Sequence, residues 1–211
     1  RGEIITNRIL NGETCAIVTD AGMPCVSDPG ELLIMQCEEK GIPTIVIPGP
    51  TAFASALAIS GLPTGRFTFE GFLSVNKKSR KEHLESLINE ERTMLFYEAP
   101  HKLSNTLKDF ANYFPNRKLS IVREITKIHE EVIRTTTDKA YEDYGETGLK
   151  GEIVLVLGGK PHKEEEEKYT LSDAVEMAKK LIENGEKATT ASKEIASLTG
   201  FKKNEIYKEL L

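Results

Sequence analysis

The sequence predicts an α/β protein that ends in a small helical unit. Apolar runs rich in β-branched residues alternate with helical segments up to about residue 160, and short turns join them. Beyond Lys160, a proline and a run of charge interrupt this pattern, and only helical periodicity follows. These observations indicate a sheet covered by helices, then a linker, then a helical segment.

The elements follow in order along the chain. Strands are predicted at Thr14–Thr19, Thr44–Ile47, Phe67–Phe72, Thr93–Glu98, Lys118–Val122, Glu130–Thr135 and Glu152–Leu157. Helices are predicted at Glu31–Lys40, Thr51–Ser60, Arg80–Asn89, His101–Tyr113 and Thr137–Tyr144. The alternation of strands and helices favours parallel strand pairing in the first part of the chain. Antiparallel pairing is expected later, because Lys118–Thr135 holds two strands without a helix between them.

The end of the chain predicts three short helices, Leu171–Asn184, Thr189–Leu198 and Asn204–Leu211. Gly185 ends the first helix, and Gly200 and Phe201 turn the chain before the third. This arrangement resembles a helix-turn-helix unit. A helical cap on the main domain is the alternative.

Composition limits the class of protein. Of the 211 residues, 39% are hydrophobic and 29% charged, which is ordinary for a globular protein, and no apolar run approaches the ~18 residues of a membrane span. No secretory signal is visible, and the three cysteines form neither a disulfide framework nor a zinc motif. We therefore expect a cytoplasmic protein with no membrane partner.

Charge is unevenly distributed along the chain. The formal net charge of −5 does not indicate a nucleic-acid-binding protein, but much of it comes from the four-glutamate run Glu164–Glu167. The basic residues cluster at Lys77, Lys78, Arg80, Lys81, Lys202 and Lys203. The net charge therefore does not exclude a partner rich in phosphate groups.

The most informative segment is the loop that follows the first predicted strand. Residues 20–30 hold two glycines, two prolines and two aspartates and lead into an apolar helix. Gly22 and Gly30 allow the backbone to approach a ligand closely, and Asp20 and Asp28 can accept hydrogen bonds from it. The alternative is an ordinary turn in which Asp28 caps the helix.

A second loop of this kind, Ile47–Ala52, follows the second predicted strand. Pro48 and Pro50 stiffen it, Gly49 leaves space for a ligand, and Thr51 can cap the next helix and offer its hydroxyl group. The N-terminus of that helix favours a carboxylate. A plain turn with a cap is again the alternative, but two such loops are expected to lie side by side at one end of the sheet.

Three later segments carry ionisable or glycine-rich strand ends. Glu98 ends one apolar strand and His101 follows it, whereas Arg123 and Glu124 open a charged connector. If these strand ends are neighbours, an acid, an imidazole and a guanidinium share one cleft. Simple caps and a solvated connector are the alternatives. The strand after Lys150 has glycine at its mouth.

Several other chemistries lack their motifs. The sequence contains no G-x-x-x-x-G-K-[ST], no G-x-G-x-x-G, no G-x-S-x-G and no metal-ligand spacing. Phosphoryl transfer, hydride transfer, serine hydrolysis and zinc hydrolysis are therefore disfavoured.

Together these segments resemble the tetrapyrrole methylase superfamily, and within it the ribosomal RNA small-subunit methyltransferase I family. The resemblance covers about residues 10 to 160 and is carried, in the family's order, by TDAGMPCVSDPG (Thr19–Gly30), IPGPTA (Ile47–Ala52), SGLPTGRFTFEGFL (Ser60–Leu73), LFYEAPHK (Leu95–Lys102), REITKIHEE (Arg123–Glu131) and KGEIVLVLGG (Lys150–Gly159). The helical tail matches the family's C-terminal extension.

The resemblance implies 2′-O-methylation of a cytidine in the decoding region of small-subunit ribosomal RNA, with S-adenosylmethionine as donor between two α/β domains. It implies donor contacts from Asp20, Ala21, Gly22, Ser27, Asp28, Pro29, Gly30, Pro48, Gly49, Pro50, Thr51, Ala52, Tyr97, Gly151, Glu152 and Ile153. The implied domains are residues 1–60, 61–160, the linker 161–169 and the helical unit 170–211.

The family begins with a strand and a Pro-Ile-Gly-Asn-Leu loop that this sequence lacks. We therefore expect the first domain to be truncated, with an unpaired sheet edge and a donor pocket that lacks a wall. A homodimer that acts on ribosomal RNA or the 30S particle is expected, since the superfamily is often dimeric.

The implied reaction needs a base or an electrostatic helper, because a ribose hydroxyl is a weak acid. Glu98, His101 and Glu124 are the candidate bases, and Arg123 could orient a carboxylate or phosphate. The basic residues named above are the candidate RNA contacts. Two alternatives remain: a superfamily branch acting on a tetrapyrrole or the modified histidine diphthamide, and a ligand-sensing nucleic-acid-binding regulator.

Overall fold

The computed structural model describes residues 1–161 and 169–210. The chain divides into two compact units, Arg1–Pro161 and His162–Leu211. Most of the predicted linker, at 162–168, lies outside the described residues, as does Leu211 at the end of the last predicted helix.

A five-stranded sheet forms the centre of the first unit. Its strands are β1 (Phe67–Phe72), β2 (Thr93–Glu98), β3 (Lys118–Arg123), β4 (Glu131–Thr136) and β5 (Ile153–Leu157). They lie in the order β1-β2-β5-β3-β4. β1 and β2 are parallel, whereas β5 is antiparallel to both β2 and β3, and β3 is antiparallel to β4. The predicted antiparallel pairing in this part of the chain is confirmed.

Six helices and one short 3₁₀ turn accompany this sheet in the described part of the unit. They are α1 (Gly2–Leu10), α2 (Glu31–Glu39), α3 (Ala52–Ser60), α4 (Lys77–Ser86), the 3₁₀ turn Pro100–Lys102, α5 (Leu103–Tyr113) and α6 (Thr137–Tyr144). α4 begins three residues earlier than predicted. Its start is fixed by Asn76, whose side-chain oxygen accepts hydrogen bonds from the backbone N–H groups of Lys78 and Ser79 at 3.0 and 3.2 Å.

The sheet separates two apolar layers because successive side chains of a strand point to opposite faces. On one face, Phe96 and Leu155 pack in the large core that includes Leu107 and Phe110 of α5. On the other face, Leu95 and Val154 pack with Ala56 and Leu57 of α3. The face beneath α3 is the one that continues towards the two predicted ligand loops.

The first two predicted strands are wrong. Neither Thr14–Thr19 nor Thr44–Ile47 forms a strand, and the described residues before Phe67 contain no strand at all. Val18 and Ile45 are strongly exposed. An apolar β-branched run predicts a strand only where a neighbouring strand completes its hydrogen bonds, and here neither run has one.

Helix α1 was not predicted. It contacts α2, and the Lys40 ammonium donates a 2.7 Å hydrogen bond to the buried Thr6 hydroxyl. The spacing of Ile5 and Ile9, four residues apart, is the signal that could have revealed it.

The second unit contains α7 (Leu171–Glu183), α8 (Ala188–Thr199) and α9 (Lys203–Glu209) in its described part. Ala178, Ala191 and Ile206 join the three helices in one apolar core. Gly200 has a φ of +78° and turns the chain between α8 and α9. The three helices agree with the sequence prediction to within one or two residues. Within the described ranges, no helix is long and apolar enough to cross a bilayer.

Candidate functional site

The two predicted ligand loops lie against each other. A Cβ placed on Gly22 would lie 3.3 Å from the Pro50 carbonyl oxygen, and one placed on Gly49 would lie 3.4 Å from the Met23 sulfur. Gly22 has a φ of +80°, which favours glycine on conformational grounds as well. Most of both loops is exposed to solvent, so their backbones meet at an accessible surface.

The first loop also reaches the sheet. A Cβ on Gly71 of β1 would lie 3.9 Å from the Ser27 hydroxyl oxygen. The Tyr97 hydroxyl of β2 accepts a 3.2 Å hydrogen bond from the Phe53 N–H in the first turn of α3. Burial raises the pKa of Tyr97, the bond from Phe53 opposes that rise, and the negative charge of Asp28 adds to it. Ser27, Asp28 and Tyr97 therefore share one region.

The two helix starts after these loops carry no side-chain cap. α2 begins after Gly30 with no capping hydrogen bond, so the capping alternative for Asp28 is not supported. Thr51 precedes α3, but its hydroxyl does not cap the helix, and that part of the prediction is wrong. Thr51 instead accepts, through its carbonyl oxygen, a 3.0 Å bond from the Ser55 hydroxyl.

The other loop residues that were predicted to contact the donor are close in sequence to the point where the two loops meet. Asp20, Ala21, Pro29, Pro48 and Ala52 are exposed. Ile153, by contrast, is 3% exposed and packs in the core on the face opposite α3. Only the backbone of Ile153, at the start of β5, is available on the α3 side.

Glu98 lies on the face of the sheet that points away from the two loops. It follows Tyr97 directly, and neighbouring residues of a strand face opposite ways. The Glu98 carboxylate is buried, where it accepts hydrogen bonds from the Ala99 N–H at 2.8 Å and from the Thr106 hydroxyl of α5. Both carboxylate oxygens are therefore held in structural contacts.

The strand ends predicted to be neighbours are not adjacent, because β5 lies between β2 and β3. Glu98 of β2 and Arg123 of β3 both pair with Ile153 of β5. Arg123, however, donates to Glu131 at 2.7 Å and to the Lys150 carbonyl at 3.1 Å. None of the described hydrogen bonds joins Arg123 to Glu98. His101 is exposed, and no described hydrogen bond involves its ring.

Glu124 is the centre of a charged cluster at the mouth of β5. Its carboxylate accepts a 2.9 Å bond from the Glu152 N–H, and Lys127 bridges the carboxylates of Glu124 and Glu152 at 3.0 and 3.2 Å. The hydrogen bond from Glu152 and the Lys127 ammonium lower the pKa of Glu124. A Cβ on Gly151 would collide with the Glu124 side chain, and the φ of +94° at Gly151 favours glycine on conformational grounds.

The basic residues on α4 do not all belong to one surface. Lys77, Lys78 and Lys81 are exposed, and the pair between Lys78 and Glu82 is long at 3.9 Å. The Arg80 side chain is only 16% exposed and bonds Asp109 of α5 at 2.7 Å and the Thr106 hydroxyl at 2.8 Å. Arg80 therefore fixes α4 to α5, while the lysines remain available to a partner.

In the helical unit, Lys202 and Lys203 are exposed at the start of α9. They present positive charge directly after the turn at Gly200. No group of three or more His, Cys, Asp or Glu side chains suited to a metal occurs in the ranges that the structure covers.

An aromatic cluster beside the loops was missed as a functional feature. Phe69 lies between Phe53 and Tyr97, at ring-centroid distances of 4.6 and 5.0 Å, and Phe72 lies 5.6 Å from Tyr97. Phe69 and Phe72 of β1 are three residues apart, a spacing that strict strand alternation would place on opposite faces. Only the pairing of β1 with β2 reveals that they share a face.

Comparison with known proteins gives one consistent family. A model of the "Tetrapyrrole (Corrin/Porphyrin) Methylases" matches residues 1–141. The chain is similar to "Ribosomal RNA small subunit methyltransferase I" of Halalkalibacterium halodurans, with 39% identity over 98% of this chain and 72% of the relative. The protein of the same name from Synechocystis is 38% identical over 99% of this chain and 75% of the relative.

Solved structures show the same fold at lower identity. The methyltransferase CobJ has a TM-score of 0.57 and 19% identity, covering 75% of this chain and 70% of its own. Uroporphyrin-III C-methyl transferase from Thermus thermophilus, complexed with S-adenyl homocysteine, has a TM-score of 0.50 and 17% identity, covering 74% of this chain and 70% of its own.

Proposed function

The chain belongs to the ribosomal RNA small subunit methyltransferase I family of tetrapyrrole methylases, and from this premise we propose that it methylates small-subunit ribosomal RNA. The donor is S-adenosylmethionine, and the acceptor is the 2′-hydroxyl of a cytidine in the decoding region. One observation carries the proposal: relatives with this name align with nearly the full chain, its helical end included.

The residues of the loop junction fit a nucleoside that carries a carboxylate and an ammonium group. Gly22 and Gly49 leave backbone exposed where the loops meet, and a Cβ at either position would reduce that space. The start of α3 has no side-chain cap, and helix N-termini favour carboxylates. Asp20 and Asp28 offer acceptors for hydroxyl or ammonium groups. Gly151 and Glu152 complete the region at the β5 mouth.

When bound, S-adenosylmethionine supplies an electrophilic methyl group on a sulfonium sulfur. The chain's own task is chiefly to position the donor and the ribose hydroxyl. Correct orientation alone can lower the activation barrier by roughly 7–11 kcal/mol. Tyr97, tied to the start of α3 through Phe53, holds helix and sheet in fixed register at this site. The loops then present their backbone groups from a rigid support.

Among the four candidate catalytic residues, His101 is the best placed to accept the proton of the ribose hydroxyl. Imidazole is the commonest general base, and the ring of His101 is exposed at the end of β2 that also carries Tyr97. Glu98 is buried and its carboxylate accepts hydrogen bonds within the core. The carboxylate of Glu124 accepts a hydrogen bond from Glu152 and pairs with Lys127. Arg123 and Glu124 shape the mouth of β5.

Exposed lysines on α4 and α9 support binding of RNA through its phosphates. Lys77, Lys78 and Lys81 follow β1, and Lys202 and Lys203 begin α9. We propose the 30S particle as the natural form of the substrate, a homodimer as the active state and the cytoplasm as its location. We also propose that residues 1–60 and 61–160 act as two domains around the donor.

Methyl transfer from radiolabelled S-adenosylmethionine to purified small ribosomal subunits tests the proposal. We expect label in 16S RNA at a single ribose, and loss of most turnover in His101→Gln with unchanged affinity for S-adenosylhomocysteine. Label on a tetrapyrrole or on diphthamide precursor protein, with none on RNA, would support another branch of the superfamily. RNA binding without any transfer would support the regulator.

A further inference from the structure

A β-bulge turns one additional aromatic ring towards the loop junction. β1 pairs Phe69 with Leu95 but Gly71 with Phe96, so Glu70 is an extra residue in the strand. After the bulge, Phe72 pairs with Tyr97 and shares its face of the sheet. If the same residues paired regularly, with no bulge at Glu70, Phe72 would lie beside Glu98 and point to the opposite face. Glu70 itself is held by His83 of α4, with 2.8 Å between Oε2 and Nε2.

The ring of Phe72 packs against other aromatic rings but remains partly exposed to solvent. Its centroid lies 5.6 Å from that of Tyr97, and Tyr97 lies 5.0 Å from Phe69. Phe69 is stacked on Phe53 at 4.6 Å. Phe72 nevertheless remains 54% exposed. Such a half-covered aromatic ring, fixed by its neighbours, is the arrangement on which nucleobases stack.

The surroundings of Phe72 match a single strand of RNA. On one side, Gly71 approaches Ser27 of the first loop, so the ring adjoins the proposed donor region. On the other side, five residues along the chain, α4 begins with Lys77 and Lys78, and its first turn holds no acidic residue. An exposed aromatic ring followed by exposed lysines provides both stacking and phosphate attraction.

We propose that Phe72 is the platform on which the base of the target nucleotide, a pyrimidine, stacks after leaving its own strand. This inference rests on the proposed function and adds to it the contact that positions the base. The bulge at Glu70 sets the orientation of the platform, and the nearby lysines of α4 hold the adjoining phosphates. The base is thereby fixed while its ribose faces the donor loops.

The test compares Phe72→Leu with Phe72→Trp in the full chain. Phe72→Leu keeps an apolar side chain but removes the stacking face, so kcat/KM for the ribosomal substrate should fall about tenfold. Phe72→Trp should retain most of it. Phe67→Leu is the matched control, because Phe67 lies on the same strand and face, is 40% exposed, and occupies the opposite end of β1. Affinity for S-adenosylhomocysteine should stay within twofold in all three variants.

A short decoding-region RNA with pyrrolocytidine at the target position supplies a direct signal. Wild-type protein and Phe72→Trp should quench its fluorescence on binding, and Phe72→Leu should not. Equal losses in Phe72→Leu and Phe67→Leu would overturn the inference, as would a Phe72→Leu variant that loses affinity for S-adenosylhomocysteine. If wild-type protein transfers no methyl group to RNA, the proposed function fails first; if it does and Phe72→Leu matches it, only the platform fails.

Discussion

At the scale of single residues, neighbouring side chains in one strand have different tasks. Tyr97 faces α3 and the loops, whereas Glu98 faces α5 and is buried there. Since the faces of a strand alternate, one cleft cannot receive both side chains without a bulge between them. The sequence order Tyr97-Glu98 therefore separates a residue that faces α3 from one that is buried against α5.

Substituting Glu98 tests this assignment. In Glu98→Gln, an NH₂ group replaces one of the two carboxylate oxygens. One of these oxygens accepts a hydrogen bond from the Ala99 N–H and the other from the Thr106 hydroxyl, so a donor then faces a donor inside the core. We expect the free energy of unfolding to fall by about 1–3 kcal/mol. Urea denaturation measures it, and the folded variant should retain its kcat. A stable variant with a large loss of kcat would return Glu98 to the catalytic candidates.

Glu124 gives a prediction about pH. Its pKa is lowered in the folded protein, first by the hydrogen bond from Glu152 N–H and then by Lys127. A lowered pKa means that the ionised form stabilises the fold, so this stabilisation is present above the ordinary glutamate pKa and is lost as the pH falls through the lowered value. Glu124→Gln should therefore flatten the decline of stability in acid.

Denaturation curves at pH 7, 4.5 and 3 measure that difference between wild type and Glu124→Gln. The two proteins should differ most at pH 7, and the difference should shrink as the pH falls to 4.5 and 3. Glu142→Gln on α6 is a suitable control, because Glu142 is exposed. Parallel curves for wild type and Glu124→Gln at all three values would contradict the role of the cluster.

At the scale of elements, α4 carries two kinds of basic residue on different sides. Arg80 bonds Asp109 and Thr106 of α5, and Thr106 in turn bonds Glu98 of β2, so one polar chain joins helix, helix and strand. Lys78, two residues before Arg80 and so on a different side of the helix, faces solvent. The local sequence of four basic residues within five positions does not distinguish the two roles, because only the position of α5 does so.

Arg80→Met should accordingly lower stability, whereas Lys78→Met should lower RNA affinity. Arg80→Met leaves Asp109 and Thr106 without their donor and should lower the free energy of unfolding by about 1.5–3 kcal/mol. Lys78→Met loses only a long, exposed ion pair and should change stability by less than about 0.5 kcal/mol. Thermal unfolding and RNA affinity are the two measurements, and RNA affinity should fall only for Lys78→Met at temperatures where both proteins are folded.

At the scale of the whole molecule, the chain has a negative formal charge but local positive surfaces in both units. The exposed lysines on α4 belong to the first unit, and Lys202 and Lys203 belong to the second. Binding to RNA through phosphates releases counterions, so added salt weakens it in proportion to the number of contacts. Net charge alone therefore says little about the partner.

The salt dependence of RNA affinity provides the prediction at this scale. Log affinity should fall linearly with log salt, and the double variant Lys202→Ala/Lys203→Ala should reduce the slope by about 1–2. Lys139→Ala, which removes an ion-paired lysine on α6, is the control and should leave the slope unchanged. Binding that does not respond to salt would exclude phosphate contacts from both units.

The sequence by itself determined the local elements and the loops. Apolar periodicity identified β1 to β5 and the C-terminal helices, and glycine and proline content marked the two loops that do meet, since these signals depend on neighbouring residues only. The tertiary structure decided what depends on distant partners. It left Thr14–Thr19 and Thr44–Ile47 unpaired, buried Glu98, bonded Arg80 to α5, and turned Phe72 beside Tyr97. Pairing, burial and face are properties of contacts between elements rather than of any one segment.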